Sequence, residues 1–310
     1  MEILLANKAV CNLTTTNLMS FVDNGKLKIK DLEDTIRLSV RIGLRMTIPH
    51  LEMEIWDKNH QRDRLLGVSF TAYQDMVNSL NLSFEEQRKF LRHLRGVAED
   101  EAARYSEELG LNKPLLVTTI KPEGTISTLN TTSSGIHFSH APYYVRRVRI
   151  TSTDPLLKVV EELGYPTYPE VGQTEEDCDT KVVEFPVKAP QGKCKMDVSA
   201  IEQLEIYKMT MEEWTDHNTS ITVTVRDNEW KDVEEWIWNN WDSIIGISLL
   251  SLDDNFYPLL PYEEISEEEY NERKSKMRPF DESLLQKYEK GDEDSEIIEE
   301  GCTNGVCPIR

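Results

Sequence analysis

"LLVTTIKPEGTISTLNTTSSG", residues 115–135, is the stretch on which the reading of the fold turns. Leu115 to Ile120 is an apolar, β-branched run of strand length that breaks into a loop of glycine, serine and threonine. Lys121-Pro122-Glu123-Gly124 has proline at its second position and glycine at its fourth, the signature of a type I turn. A loop leaving an apolar strand emerges at a carboxyl end, where α/β folds build their sites. Gly124, Thr125, Ser127 and Thr128 offer close backbone approach, N–H groups and hydroxyls, the parts of an anion cradle. Neither GxxxxGK[ST] nor GxGxxG occurs, so a standard nucleotide motif is absent and a plain surface turn stays open.

Working outward, strand-type and helix-type runs alternate. "EILLA" at the start, "LLGVSF", "YVRRVRI", "KVVEFPV", "TSITVTV" and "IIGISLL" read as strands. "DLEDTIRLSVRIGLRMT", "DPLLKVVEELG", "IEQLEIYKMTMEEW" and "NEWKDVEEWIWNNW" read as helices, with Trp230, Trp236, Trp238 and Trp241 expected to pack. "SFEEQRKFLRHLRGVAEDEAARYSEELG" is the clearest helix, with a Ser83/Glu86 capping box and Gly110 where a glycine cap belongs. This alternation argues for an α/β fold with largely parallel strands. No internal repeat of fixed period is visible.

With 310 residues the chain can bury a sizeable core. Its 56 acids against 35 bases give −21, so a nucleic-acid polymer is an unsuitable partner. From Pro261 to Glu300 there are 15 acids and 6 bases, a local −9, which reads as a solvated, flexible acidic linker. The expected division is therefore 1–260, folded, and 261–310, a tail. No apolar run approaches the roughly 20 residues that span a bilayer, and "MEILLANKAV" lacks a signal peptide's basic region. Five irregularly spaced cysteines fit a reducing compartment, and the cytoplasm is expected.

Cys178 and Cys194 have no companions at ligand spacing and read as ordinary thiols, and no metal site is expected. Cys11, beginning "CNLTTTNL", reads as inward-pointing. Cys302 and Cys307 in "GCTNGVCPIR" are too few for zinc, but a dithiol on a tether can exchange with an enclosed disulfide. The histidines form no HxxxH or HExxH pattern. His137 and His140 read as structural or substrate-side.

Several of these segments occur together in one family. Through "EILLANKAVCNLTT", "DRLLGVSFTAYQDM", "KPEGTISTLNTTSSGIHFSHAPYYVRRVRI", "WTDHNTSITVTV", "GISLL…YPLLPYEEI" and "GCTNGVCPIR", the chain resembles the C-terminal portion of adenosylcobalamin-dependent (class II) ribonucleoside-triphosphate reductases. The resemblance implies an α/β fold, the C-terminal part of a ten-stranded α/β barrel made of two five-stranded halves, followed by the flexible acidic tail. It implies adenosylcobalamin as cofactor, a ribonucleoside triphosphate as substrate and thioredoxin as reductant. By the match, Glu2 is the general base, Cys11 is one of two redox cysteines, and Cys302 and Cys307 are the C-terminal shuttle. Pro122, Glu123, Gly124, Thr125, Ile126 and Ser127 hold the substrate's phosphates.

One departure matters. The family's radical cysteine would fall just before Met1, so the resemblance implies an N-terminal half as partner and no turnover from these residues alone. A class I large subunit is an alternative. Its tyrosine pair on the last barrel strand has no counterpart in "IIGISLL", while Tyr143 and Tyr144 lie on another strand and read as packing. The other alternative is a non-catalytic half-barrel that complements or inhibits a complete reductase.

Overall fold

The computed structural model describes residues 2–124, 126–252 and 258–289. They cluster into two compact units, the described residues of 2–142 with 188–252 and those of 143–187 with 258–289. The second unit thus takes its first part from inside the stretch 1–260.

In chain order, β1 (Asn12–Asn17) is followed by a small hairpin, β2 (Val22–Asp23) and β3 (Lys26–Leu27), then α1 (Ile29–Met46) and α2 (Glu54–Asp63). Next come β4 (Leu66–Thr71), α3 (Tyr73–Leu80), the long α4 (Phe84–Glu108) and the single turn α5 (Ile126–Leu129). The inserted segment holds β5 (Tyr143–Thr151), α6 (Pro155–Glu162), β6 (Thr167–Pro169) and β7 (Thr180–Lys188). The chain then makes α7 (Ala200–Glu213), β8 (Thr222–Val225), α8 (Trp230–Asn239) and β9 (Ser248–Ser251). It ends, as described, with β10 (Tyr262–Glu264), α9 (Glu267–Lys276) and α10 (Glu282–Glu289).

The first unit is built on parallel strands. β1 pairs with β4 from Asn12↔Leu66 to Asn17↔Thr71, and β8 pairs with β9 from Thr222↔Ser248 to Val225↔Ser251. The stretch 116–120 joins the two pairs through parallel bridges Val68↔Thr118 and Ile120↔Thr219. The order is therefore β1, β4, 116–120, 218–225, β9, a parallel array of five segments, four strands of it regular. "LLVTTI" is not a regular strand: Thr119 N donates to Val68 O at 3.0 Å, but 116–120 makes only isolated bridges. "EILLA" is not a strand either. Its backbone groups bond to His217, Thr119 and Asn218 rather than to a ladder.

Alternation decides the two faces of this array. Leu66, Val68 and Phe70 of β4 enter the core with Leu32, Ile36, Val40 and Leu44 of α1, four residues apart on one helix face. Leu91, Leu94 and Ala98 of α4 and Trp214 complete it. Arg41 Nε to Glu101 Oε1 (2.5 Å) and Arg45 Nε to Tyr105 OH (2.7 Å) tie α1 to α4. The capping box of α4 is formed, and Gly110 takes φ +66° beyond its end. Of the four tryptophans expected to pack, only Trp236 is buried. Trp238 is 80% exposed, because α8 is covered on one face only, and Trp241, just past its end, is 68% exposed.

Gly67, Ser69 and Thr71 point to the opposite face. At Gly67 a Cβ would meet Leu13 Cδ2 at 2.2 Å, with Ile3 and Thr119 methyl carbons at 3.2 Å, so the incoming chain lies directly on the strand.

The second unit holds a sheet of order β10-β5-β7-β6 in which β10 pairs antiparallel with β5 and β6 antiparallel with β7, the exception in a fold expected to be largely parallel. Ile150, Leu157, Val160 and Val183 form its small core. Glu184 is buried between Arg147 (2.7 Å) and Arg273, and Arg147 also reaches Glu263 at 2.6 Å. Here the sequence reading needs correction: residues 262–289, expected as part of a flexible acidic tail, form a strand and two helices. Their acids are matched locally, Glu269 with Arg273 and Glu272 with Lys276 one turn apart, and Ser266 caps α9. Tyr143 and Tyr144 pack on Tyr270 and Tyr262, as expected of them. Between the two parts of the first unit, Ala189 N donates to Pro142 O at 2.9 Å.

Candidate functional site

The face of the parallel array lined by Gly67, Ser69 and Thr71 is polar. Ser69 and Thr119 are fully buried, and Thr71 and Asn218 nearly so. Every buried polar group needs a partner, and the N-terminal segment supplies several. Glu2 O accepts from Asn218 N at 3.1 Å and from Thr119 Oγ1 at 2.6 Å. Leu4 N donates to His217 Nδ1 at 3.1 Å.

His217 is fully buried and fixes the local chemistry. Its Nδ1 accepts from Leu4, so its proton sits on Nε2, which donates to Leu66 O at 2.8 Å. Burial pushes its pKa below the usual imidazole value. Cys11 Sγ lies 3.9 Å from Nε2, the nitrogen that already holds the proton. His217 therefore cannot take a proton from this thiol. Burial, with the Glu2 carboxylate nearby, pushes the Cys11 thiol up to about 12. Cys11 is an S–H group at neutral pH.

Four residues along, Thr15 Oγ1 donates to Glu123 Oε1 at 2.5 Å. The Glu123 carboxylate is buried, and its Oε2 makes no hydrogen bond among the described residues, with Lys121 Nζ 3.9 Å away. Glu123 has φ +56°, which a type I turn excludes, so the turn expected over 121–124 is of another type. The pull of its side chain towards Thr15 accompanies this uncommon backbone, which costs a non-glycine residue on the order of 1–2 kcal/mol. Gly135 closes the loop at φ +52°. A Cβ there would sit 2.8 Å from Lys121 O. Asp75, buried and with its pKa raised by burial, accepts from Ser133 N (2.6 Å) and Ser139 Oγ (3.1 Å) and staples the far end.

Of the residues singled out in sequence, the structure brings Glu2 and Cys11 together and links Glu123 to them through Thr15 on β1. Pro122, Gly124 and Ile126 are exposed, while Glu123 and Ser127 are buried. Thr125, Cys302 and Cys307 lie outside the described residues. A cavity of about 550 Å³ adjoins the loop, walled by Asn17, Met19, Asn130, Thr132 and the stretch from Lys188 to Gln191. Among the described residues there is no cluster of three or more potential metal ligands. His217 belongs to no histidine motif. Its signal was the wholly polar "TDHNTS", 215–220, standing between a helix and an apolar strand.

No family model matches the chain. Over its whole length it is 29% identical to the adenosylcobalamin-dependent ribonucleoside-triphosphate reductase of Lactobacillus acidophilus and 27% identical to that of Lactobacillus leichmannii. The crystal structure of a B12-dependent (class II) ribonucleotide reductase superposes with a TM-score of 0.81 at 26% identity, covering 93% of this chain and 43% of that one. The chain matches the C-terminal portion of the class II reductases. It spans 44% and 45% of the length of those two curated relatives. The α subunit of the class Id reductase of Actinobacillus ureae gives a TM-score of 0.54 at 14% identity, covering 81% of this chain and 52% of that one, and shares the fold alone. The parallel array is thus part of the reductase α/β barrel.

Proposed function

We propose that this chain is the C-terminal part of a ribonucleotide reductase, making deoxyribonucleotides by radical removal of the 2′-hydroxyl of a ribonucleoside triphosphate. One observation carries the reading: Glu2 stands near enough to a neutral Cys11 for its charge to be felt there, on the polar face of the array beside the 122–127 loop. Glu2, as carboxylate, takes the ribose 3′-hydroxyl proton, which is general-base work. Cys11 and a partner thiol outside this chain give up two hydrogens to the substrate and join as a disulfide, while the 2′-oxygen leaves as water. The loop from Pro122 to Ser127, Thr125 included, holds the phosphates. Cys302 and Cys307 reopen the disulfide by exchange, and thioredoxin restores them.

The relatives are named for adenosylcobalamin, which when bound would supply the radical. The site fits such chemistry, because hydrogen-atom transfer needs S–H rather than thiolate and Cys11 is held as S–H. The radical cysteine would come from an N-terminal half. Supporting that partner, Leu249 and Leu250 of β9 are both exposed, although they point to opposite faces of the strand. Cytoplasmic location is part of the proposal. Among the described residues no helix is long and apolar enough to cross a membrane.

The test is reconstitution with a chain supplying the remaining length of the relatives, plus adenosylcobalamin, thioredoxin and a ribonucleoside triphosphate. Deoxynucleotide should form with the pair and not with this chain alone. Glu2→Gln should lower turnover by about 10²-fold or more. Turnover by the lone chain, or full turnover in the Gln variant, overturns the reading. A pair that associates without turnover points instead to the non-catalytic half-barrel.

A further inference from the structure

The loop 135–142 runs beside the segment "KAPQGKCK", residues 188–195, which holds three lysines and no acid in a chain of net charge −21. Backbone bonds fix the alignment. Ser139 bridges Cys194 in parallel, and Lys195 N donates to Ser139 O at 2.8 Å. The side chains of Lys195 and His140 are thereby set side by side, both half-buried. Two imidazoles, His137 and His140, feel the Lys195 charge.

The carboxylates nearby are engaged elsewhere. Asp75 accepts from Ser133 N and Ser139 Oγ, Asp197 accepts from Cys194 N at 2.8 Å, and Glu202 is paired with Lys193 at 3.0 Å. Among the described residues Lys195 has no carboxylate partner. His137 is occupied on both nitrogens: Nδ1 donates to Ser134 O (2.9 Å) and Nε2 accepts from Thr222 N (2.9 Å), so it stays neutral. A partly desolvated ammonium without a counter-charge is costly, and proteins usually compensate one with a partner. In a molecule with 56 acids, a lysine left without one marks a place where the counter-ion arrives from outside.

We infer that Lys195 and His140 bind the terminal, dianionic phosphate of a ligand, at a place separate from the 122–127 loop. The charges match: Lys195 supplies one positive charge, and His140, proton-poor in the free protein, supplies the second by taking up a proton as the dianion arrives. Burial and Lys195 hold His140 down to about 4 without ligand, and an anion between the two groups reverses that bias. The inference stands on these side chains and does not require the reductase reading.

The experiment uses the full chain with labelled histidine rings, observed by NMR at pH 7. The probes are inorganic phosphate, a nucleoside triphosphate and the unphosphorylated nucleoside, with sodium chloride matched for ionic strength. Both phosphate probes should move the His140 ring signals saturably towards the protonated form, and the nucleoside should not. At least tenfold tighter binding of the triphosphate than of inorganic phosphate identifies a nucleotide, and equal binding identifies free phosphate. Lys195→Met should weaken binding at least tenfold and Lys195→Arg should retain it, each judged folded by unchanged His217 signals. The inference fails if neither phosphate probe moves His140 at about 10 mM, if the nucleoside moves it as far, or if folded Lys195→Met binds unchanged.

Discussion

Cys11 and Glu123 carry their consequences individually. Cys11 is only partly covered, so reagents reach it, yet its proton is held to about pH 12. Only the thiolate alkylates, and a free thiol has a pKa near 8.5. Iodoacetamide labelling of Cys11 at pH 8, followed by peptide mass spectrometry, should therefore run on the order of 10³-fold slower than that of a free thiol. Labelling at a free thiol's pace would show that the proton is not so held. At Glu123, Gln keeps the bond from Thr15 Oγ1 but removes the charge, whereas Ala removes both. In the reconstituted pair, Glu123→Ala should raise KM for the nucleotide more than Glu123→Gln does, since the bond to Thr15 anchors the loop backbone. Equal effects would assign the role to charge instead.

At the scale of elements, Gly67 sets how closely the N-terminal segment lies on β4. Gly67→Ala forces Leu13 aside and should cost about 1–3 kcal/mol in urea unfolding, as overpacking does. Ser83→Ala, which opens the capping box of α4, should cost about 1 kcal/mol. Most elements were legible because their signals are local. The α4 cap, the four-residue spacing of Leu32, Ile36, Val40 and Leu44, and the alternation of β8 each need only a few neighbouring residues. What escaped is set by distant partners. "EILLA" has strand composition, but Leu4 N and Glu2 O are claimed by His217, Asn218 and Thr119. Residues 262–289 read as a tail because charge was counted without pairing. Glu2 and Cys11 entered only through family resemblance, since nothing near either one announces chemistry.

For the whole molecule, the balance of protons governs acid stability. Burial lowers the pKa of His60, His137, His140 and His217 below 6.5. An unfolded chain binds more protons than the folded one once the pH drops below that value, so their contribution is complete above pH 6.5 and is lost as pH falls towards the folded pKa. The paired carboxylates, such as Glu101 and Glu213, have depressed pKa values and begin to lose their contribution only below about 4.5. Thermal unfolding of the chain should thus show Tm falling between pH 6.5 and 4.5. His140→Gln should flatten that slope. A Tm constant over the window would mean that these rings protonate freely in the fold.

The bond from Ala189 N to Pro142 O has a consequence for modularity. The chain leaves its first unit and re-enters it at two points in direct contact, so the 45 residues between them, 143–187, close a circle. A segment whose ends already touch can be exchanged for a short glycine-serine bridge without stretching what remains. A chain shortened in this way, and ended before residue 256, should keep the parallel array and a single cooperative melt. Seen so, the second unit is cargo spliced into a loop of the first.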